Sequence, residues 1–119
     1  MDQSILVAED HDGFRKSLCQ LLRDEGYRVV EAADGIQAIT ELNQTQFNLV
    51  LSNLRMPKAD GYELLRHASV IHPQPPVIFI SGYGDEQTRT NAMQQGARDY
   101  IFKPVVFDDL LVKIKTACQ

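Results

Sequence analysis

Five short apolar runs in this 119-residue chain each stop at polar residues. The first, Ser4 to Glu9, closes on Glu9-Asp10, and the third, Phe47 to Ser52, runs into Asn53. The fourth, Val77 to Ile80, stops at Ser81, and the fifth, Arg98 to Phe102, stops at Lys103. Gathered on one rim, these residues supply two carboxylates, an amide, a hydroxyl and an ammonium. Clustered carboxylates hold a hard divalent cation through oxygen, usually with waters retained. A cation and fixed donors offset charge on a group in transfer. Asn53 is the odd member, a neutral amide where the surroundings are suited to a carboxylate.

The elements that would position these residues follow from periodicity. Ser4–Glu9 is continuously apolar rather than alternating, which predicts a strand buried on both faces of a parallel sheet. Phe14, Leu18, Leu21 and Leu22 then mark one face of a helix that Gly26 ends. Tyr27–Glu31 is a second strand, and Ile36, Ile39 and Leu42 mark a helix ending near Gln44. After the third strand, Pro57 and Asp60-Gly61 make a loop. Leu64, Leu65, Ala68 and Ile71 give a third helix, stopped by the proline-rich His72–Pro76. Asp85–Gln95 reads as a largely polar helix capped by Gly96. Phe107, Leu110, Leu111 and Ile114 form the apolar face of a last helix. A βα unit repeated five times implies an α/β, doubly wound parallel sheet covered on both faces. The site of such a sheet lies at the carboxyl ends of its strands, near the point where strand order reverses.

Length and composition fit one domain over residues 1–119, with a single sizeable core. The formal net charge of −4 leaves no excess of Lys and Arg to neutralise phosphates, so direct nucleic-acid binding is not expected. No basic run suggests an anionic membrane surface, and no stretch approaches the about 20 apolar residues of a membrane span. The N-terminal run is too short and lacks a basic flank for a signal peptide. Cys19 and Cys118 fit no metal or redox spacing and read as two free thiols in a reducing cytoplasm; nothing supports a disulfide between them.

Taken together, the strand-end residues resemble the response-regulator receiver domain of two-component signalling, over essentially the whole chain. An acidic pair follows strand one (Glu9-Asp10), and Asn53-Leu54-Arg55-Met56-Pro57 stands where that family has D-x-x-M-P. Ser81 ends strand four, Lys103-Pro104 follows strand five, and the aromatic Tyr100 lies three positions before the lysine. The resemblance implies a flavodoxin-like (βα)5 receiver fold with strand order 2-1-3-4-5, an arrangement that obeys the same switch-point rule for open α/β sheets. It further implies Mg²⁺ bound by Asp10 directly, by Glu9 largely through water, by position 53 and by the Arg55 backbone carbonyl. Lys103 and Ser81 would contact the phosphoryl group. Tyr100 would turn into space vacated by Ser81, carrying the switch to the face of helix four, strand five and helix five. The implied Lys103-Pro104 bond is cis. Implied partners are a histidine kinase or phosphotransfer protein, an output domain or protein, and a second copy through that same face. SGYGD after strand four, with DYIFKPV later, looks most like receivers attached to transcriptional activators.

The departure at position 53 governs the expected chemistry. A neutral amide is a poor nucleophile and forms no acyl phosphate, so the chain as it stands would not accept phosphate. It removes one formal charge from the site, so Mg²⁺ binding should weaken. A third carboxylate about 5 Å from the others would be repelled by a few kcal/mol at an effective dielectric of about 20, so the cation-free domain should be more stable than its Asn53→Asp counterpart. Two origins are open. The intact Glu9, Asp10, Ser81, Lys103 and Tyr100 favour a recent or deliberate substitution, whereas Asn48, where family members commonly carry Asp, favours natural loss.

The alternative is a pseudo-receiver, an interaction module working through the helix four, strand five and helix five face. A flavodoxin would want a Ser/Thr/Gly-rich phosphate loop, and EDHDG is acidic. An aspartyl-phosphate phosphatase needs an Asp nucleophile in a D-x-D string after a strand, and none is expected in that role. The ordinary readings weigh against some residues. Asp10 could merely cap the first helix, though Asp12 is better placed to do so. Ser81-Gly82 could be turn chemistry alone, Tyr100 a plain strand residue, and His11 an exposed loop residue. His67 and His72 read as helix-surface residues, and Met56 as packing beneath the loop.

Overall fold

The computed structural model describes residues 3–82 and 84–118. Along the chain run β1 (Ser4–Ala8), α1 (Asp12–Asp24), β2 (Arg28–Ala32), α2 (Gly35–Gln44) and β3 (Leu49–Asn53). They are followed by α3 (Gly61–Ser69), β4 (Val77–Ser81), α4 (Glu86–Gln94), β5 (Asp99–Phe102) and α5 (Phe107–Ala117). The five strands form one sheet in the order β2-β1-β3-β4-β5, and every neighbouring pair is parallel.

The pleat explains why the strands are apolar at consecutive positions. Leu6, Ala8, Val50 and Phe79 face one core, shared with Ala38 and Leu42 of α2, Leu64, Leu65 and Ala68 of α3 and Ala92 of α4. Ile5, Val7, Leu49, Leu51, Ile78 and Ile80 face the other, closed by Leu18, Cys19 and Leu22 of α1 and Leu110 and Ile114 of α5. Successive side chains point to opposite faces, so a strand covered on both sides must be apolar throughout. Its first freely polar position is where the covering ends, which is the carboxyl edge.

The apolar faces of α1 and α2 are narrower than periodicity suggests. Leu21 and Ile36 are 43% and 52% exposed, because both lie off the centre of the stripe that meets the sheet. α1 buries Arg15, Leu18, Cys19 and Leu22 instead. Its N-cap also differs from expectation. His11, not Asp12, caps α1, its Nδ1 accepting from the Phe14 backbone N–H at 3.1 Å. Asp34, Asp60 and Asp85 cap α2, α3 and α4 through the N–H groups of Gln37, Glu63 and Thr88, each satisfying a helix-end donor. The Gln37 N–H is the main influence holding the Asp34 carboxyl below its ordinary range, with Lys58 adding to it and burial opposing. That contribution to stability is present above the ordinary Asp value and is lost as pH falls through the lowered one.

Asn48 lies at the far end of β3 from the strand-end residues. Its Oδ1 accepts from Ser4 N and its own N–H donates to Ser4 O, both at 2.8 Å, so it extends the β1–β3 ladder and takes no part in the site. Cys19 and Cys118 are both free, and burial pushes the Cys19 thiol up to about 11. Among the described residues, no helix is long and apolar enough to cross a membrane.

The loop after β3 is pressed against the start of α2. A Cβ at Gly35 would stand 1.8 Å from the Ala59 carbonyl oxygen, a contact no side chain tolerates. Gly35→Ala is therefore expected to lower unfolding free energy by about 2 kcal/mol, measured by urea denaturation. Gly13→Ala is the control, since its Cβ would meet only the His11 ring at 3.5 Å. Equal midpoints for the two variants would refute the close approach.

Candidate functional site

The carboxyl edge brings the strand-end residues together. Glu9, Asp10, His11, Asn53, Arg55, Met56, Pro57 and Lys103 line one open cleft. Asn53 is the last residue of β3 rather than the first of a loop, paired in register with Ile80. Ser81 closes β4 opposite Phe102 and is fully buried. The Lys103 backbone N–H donates to the Ser81 carbonyl at 2.8 Å, which ties the ends of β4 and β5 together beneath the cleft. The Lys103-Pro104 bond is cis, as the resemblance implied, and so is His72-Pro73, which nothing in the sequence flagged.

Glu9 is the buried acid of the site, 3% exposed. Its Oε1 accepts from Lys103 Nζ at 2.8 Å, and its Oε2 accepts from the His11 backbone N–H at 3.1 Å. The ammonium also stands 4.6 Å from the Phe14 ring centroid, a distance at which a cation is attracted to the ring face. Asp10 is exposed at the rim.

Asn53 completes the arrangement through its amide nitrogen. Nδ2 donates to the Arg55 carbonyl at 2.8 Å, to Asp10 Oδ1 at 3.1 Å and to Glu9 Oε2 at 3.3 Å. The resemblance assigns Asp10 and the Arg55 carbonyl to a divalent cation directly and Glu9 largely through water. All three are acceptors and would repel the amide oxygen, so the hydrogen-bond network assigns the nitrogen to that side. As the residues stand, they do not fit a cation, because a hydrogen-bond donor holds the point where the oxygens converge. Among the described residues, no group of three or more His, Cys, Asp or Glu side chains is placed to hold a metal.

Tyr100 is deeper than a half-buried strand residue. It is 3% exposed, with its ring edge-on to Phe79 at 6.4 Å and to Phe102 at 5.1 Å between centroids. His11 is exposed, as expected. Met56 is half-buried and packs against the core. Asp10-His11-Asp12 spells a D-x-D string after β1. Asp12, however, opens α1 and pairs with Arg15 at 2.8 Å, and it does not line the cleft.

Arg15 is the residue that sequence reasoning missed. It is buried, and Nη1 donates to the Glu9 backbone carbonyl at 2.8 Å while Nε reaches Glu31 Oε1 on β2 at 3.2 Å. It thus fixes the backbone that carries the acidic pair. The available signal was an arginine one turn before Leu18 within an otherwise apolar stripe.

The fold has counterparts among known proteins. The family model described as response regulator receiver domain matches residues 5–115. The transcriptional regulatory protein ZraR of Klebsiella oxytoca is 37% identical over 113 residues, covering 95% of this chain and 26% of that protein. A putative NtrX-like response regulator of Rickettsia bellii is 34% identical over 117 residues, covering 97% and 24%. The chain therefore spans about a quarter of the length of the curated relatives it matches. Among solved structures, a CheY-like response regulator receiver domain protein from Methanospirillum hungatei superposes with a TM-score of 0.92 at 33% identity, covering 99% of this chain and 94% of that one. A Burkholderia pseudomallei response regulator solved with a phosphorylated aspartic acid, calcium ion and citrate shares the fold, with a TM-score of 0.87 at 24% identity over 98% of this chain and 69% of that one.

The Lys103–Glu9 pair carries a stability prediction. Lys103→Met leaves a buried carboxylate without its cation and should cost about 3 kcal/mol at neutral pH, read by urea unfolding. Adding Glu9→Gln should recover most of that loss. A double variant no more stable than Lys103→Met would show that the pair is not the source.

Proposed function

The chain belongs to the response regulator receiver domain family, and on that premise we propose that it is a receiver whose phospho-acceptor position is filled by Asn53. It relays a two-component signal by conformation and contact, and takes no phosphoryl group itself. The observation that carries this reading is the placement of Asn53 at the end of β3, within hydrogen-bond reach of Glu9, Asp10 and the Arg55 carbonyl. An acyl phosphate would have to form on that side chain, and a neutral amide offers no oxygen nucleophile for it.

The remaining parts of a phosphoryl site keep their roles under this reading. Lys103 and Ser81 are the phosphoryl-facing residues, and Tyr100 the aromatic that reports the state of the site. Tyr100 is already buried against Phe79, so in this chain burial of the ring requires no phosphoryl group. Any Mg²⁺ binding is weak, because the site offers two carboxylates rather than three and its converging oxygens already face the Asn53 amide. The partners are a histidine kinase or phosphotransfer protein on the input side and an output domain or protein on the other, within the cytoplasm. A second copy or an output partner docks on the face of α4, β5 and α5, where Phe102, Val106 and Val112 are exposed. The relatives ZraR and NtrX-like, as regulators much longer than this chain, support an output segment outside it.

A second reading, the pseudo-receiver fixed in one conformation, is favoured by a specific observation: Lys103, the His11 N–H and the Asn53 amide already satisfy the Glu9 carboxylate. Asn53→Asp discriminates. With Mg²⁺ and a small phosphate donor or beryllofluoride, the variant should gain one phosphoryl group by intact mass, while the unchanged chain gains none. Without divalent cation the variant should also be less stable, by a few kcal/mol at most. A variant that takes up neither phosphoryl nor beryllofluoride would mean that the pocket differs from an active receiver in more than position 53, and the pseudo-receiver would stand.

A further inference from the structure

Loss of charge is one way for Asn53 to weaken a cation site; the geometry points to a second, stronger one. We propose that the Asn53 amide nitrogen occupies the cation position itself and competes with divalent metal for Glu9, Asp10 and Arg55. The inference rests on the receiver reading of the site but goes beyond it, since it assigns Asn53 a positive role in place of a missing one.

Three oxygens from three different positions in the chain converge on one atom. The Arg55 carbonyl lies at 2.8 Å, Asp10 Oδ1 at 3.1 Å and Glu9 Oε2 at 3.3 Å from Nδ2. An amide nitrogen carries two protons, so one bond of the three is shared, and the longest, to Glu9, is the weakest. Each Glu9 oxygen nevertheless has another donor, Lys103 Nζ to Oε1 at 2.8 Å and the His11 N–H to Oε2 at 3.1 Å. A metal ion entering the site must displace the amide from all three oxygens and turn the side chain so that its oxygen replaces its nitrogen.

Two accounts of weak metal binding now differ in what they predict. If Asn53 weakens the site only by lacking charge, truncating it to alanine removes a candidate oxygen ligand at constant net charge, and affinity falls or stays level. If the amide competes with the metal, truncation frees three converging oxygens and affinity rises.

The test is a Mg²⁺ titration of the ¹⁵N-labelled chain, Asn53→Ala and Asn53→Asp, following the backbone amide signals of Asp10 and Arg55. Asn53→Ala should bind Mg²⁺ about tenfold more tightly than the unchanged chain, the factor expected for freeing hydrogen bonds to charged acceptors. Equal or weaker binding by Asn53→Ala overturns the proposal. Should that variant fail to fold, the side-chain NH₂ signals of Asn53 in the unchanged chain decide. Slow solvent exchange that ends as Mg²⁺ reaches saturation supports the proposal, and fast exchange indifferent to Mg²⁺ overturns it. Asn53→Asp separates this inference from the receiver reading. If it accepts phosphoryl while Asn53→Ala binds no better, competition fails and the receiver stands. If it is inert while Asn53→Ala binds tightly, the receiver reading fails and competition stands.

Discussion

A carboxylate removed from water needs a partner for each oxygen, and in this domain that carboxylate is Glu9. Burial of a charge is costly unless it is paired and hydrogen-bonded. The chain meets that demand from three separate segments. Lys103 arrives from beyond β5, the His11 N–H from the start of α1, and Asn53 from the end of β3. Arg15, from within α1, holds the backbone rather than the carboxylate. The parallel sheet makes this possible, since it delivers the ends of β1, β3 and β5 to one edge. A shift of register in any of those strands would leave the acid unpaired, so correct strand pairing and a satisfied site are the same condition.

The loop after β3 is held as firmly as the strands. Lys58 has a φ of 73°, a left-handed conformation uncommon for a residue with a side chain. Its ammonium lies 3.5 Å from Asp34, the residue that caps α2. Gly35 admits the Ala59 carbonyl at a distance that excludes any Cβ. The Gly61 N–H closes the loop on the Leu54 carbonyl at 2.8 Å. Arg55, whose carbonyl faces the cleft, sits between these anchors, so its position follows from packing on α2 as much as from its own sequence neighbours.

Much of this was legible in the chain itself. Runs of apolar residues that stop abruptly reported both the doubly covered sheet and its carboxyl edge; of the polar residues at those stops, Glu9, Asn53 and Lys103 line one cleft, while Ser81 is buried at the end of β4. Three things were not legible, each for a physical reason. The buried Arg15 breaks the rule that charge marks a solvated face, and its contacts with the Glu9 carbonyl, Asp12 and Glu31 show why. Leu21 and Ile36 obey the helical period yet face water, because period alone does not tell how wide a stripe the sheet covers. The direction of the Asn53 amide could not be read from residue type, which says that the group can donate and accept but not which end meets the acids.

α4 differs from the other helices in how little of it the core requires. Of its nine residues only Ala92 is buried, and its remaining positions are polar or partly exposed. Substitutions elsewhere on this helix leave the packing of the sheet almost untouched. Selection can therefore rewrite the outer side of α4 for a new partner without disturbing either the acid cluster or the fold, and divergence among related chains should concentrate there before it reaches any other helix.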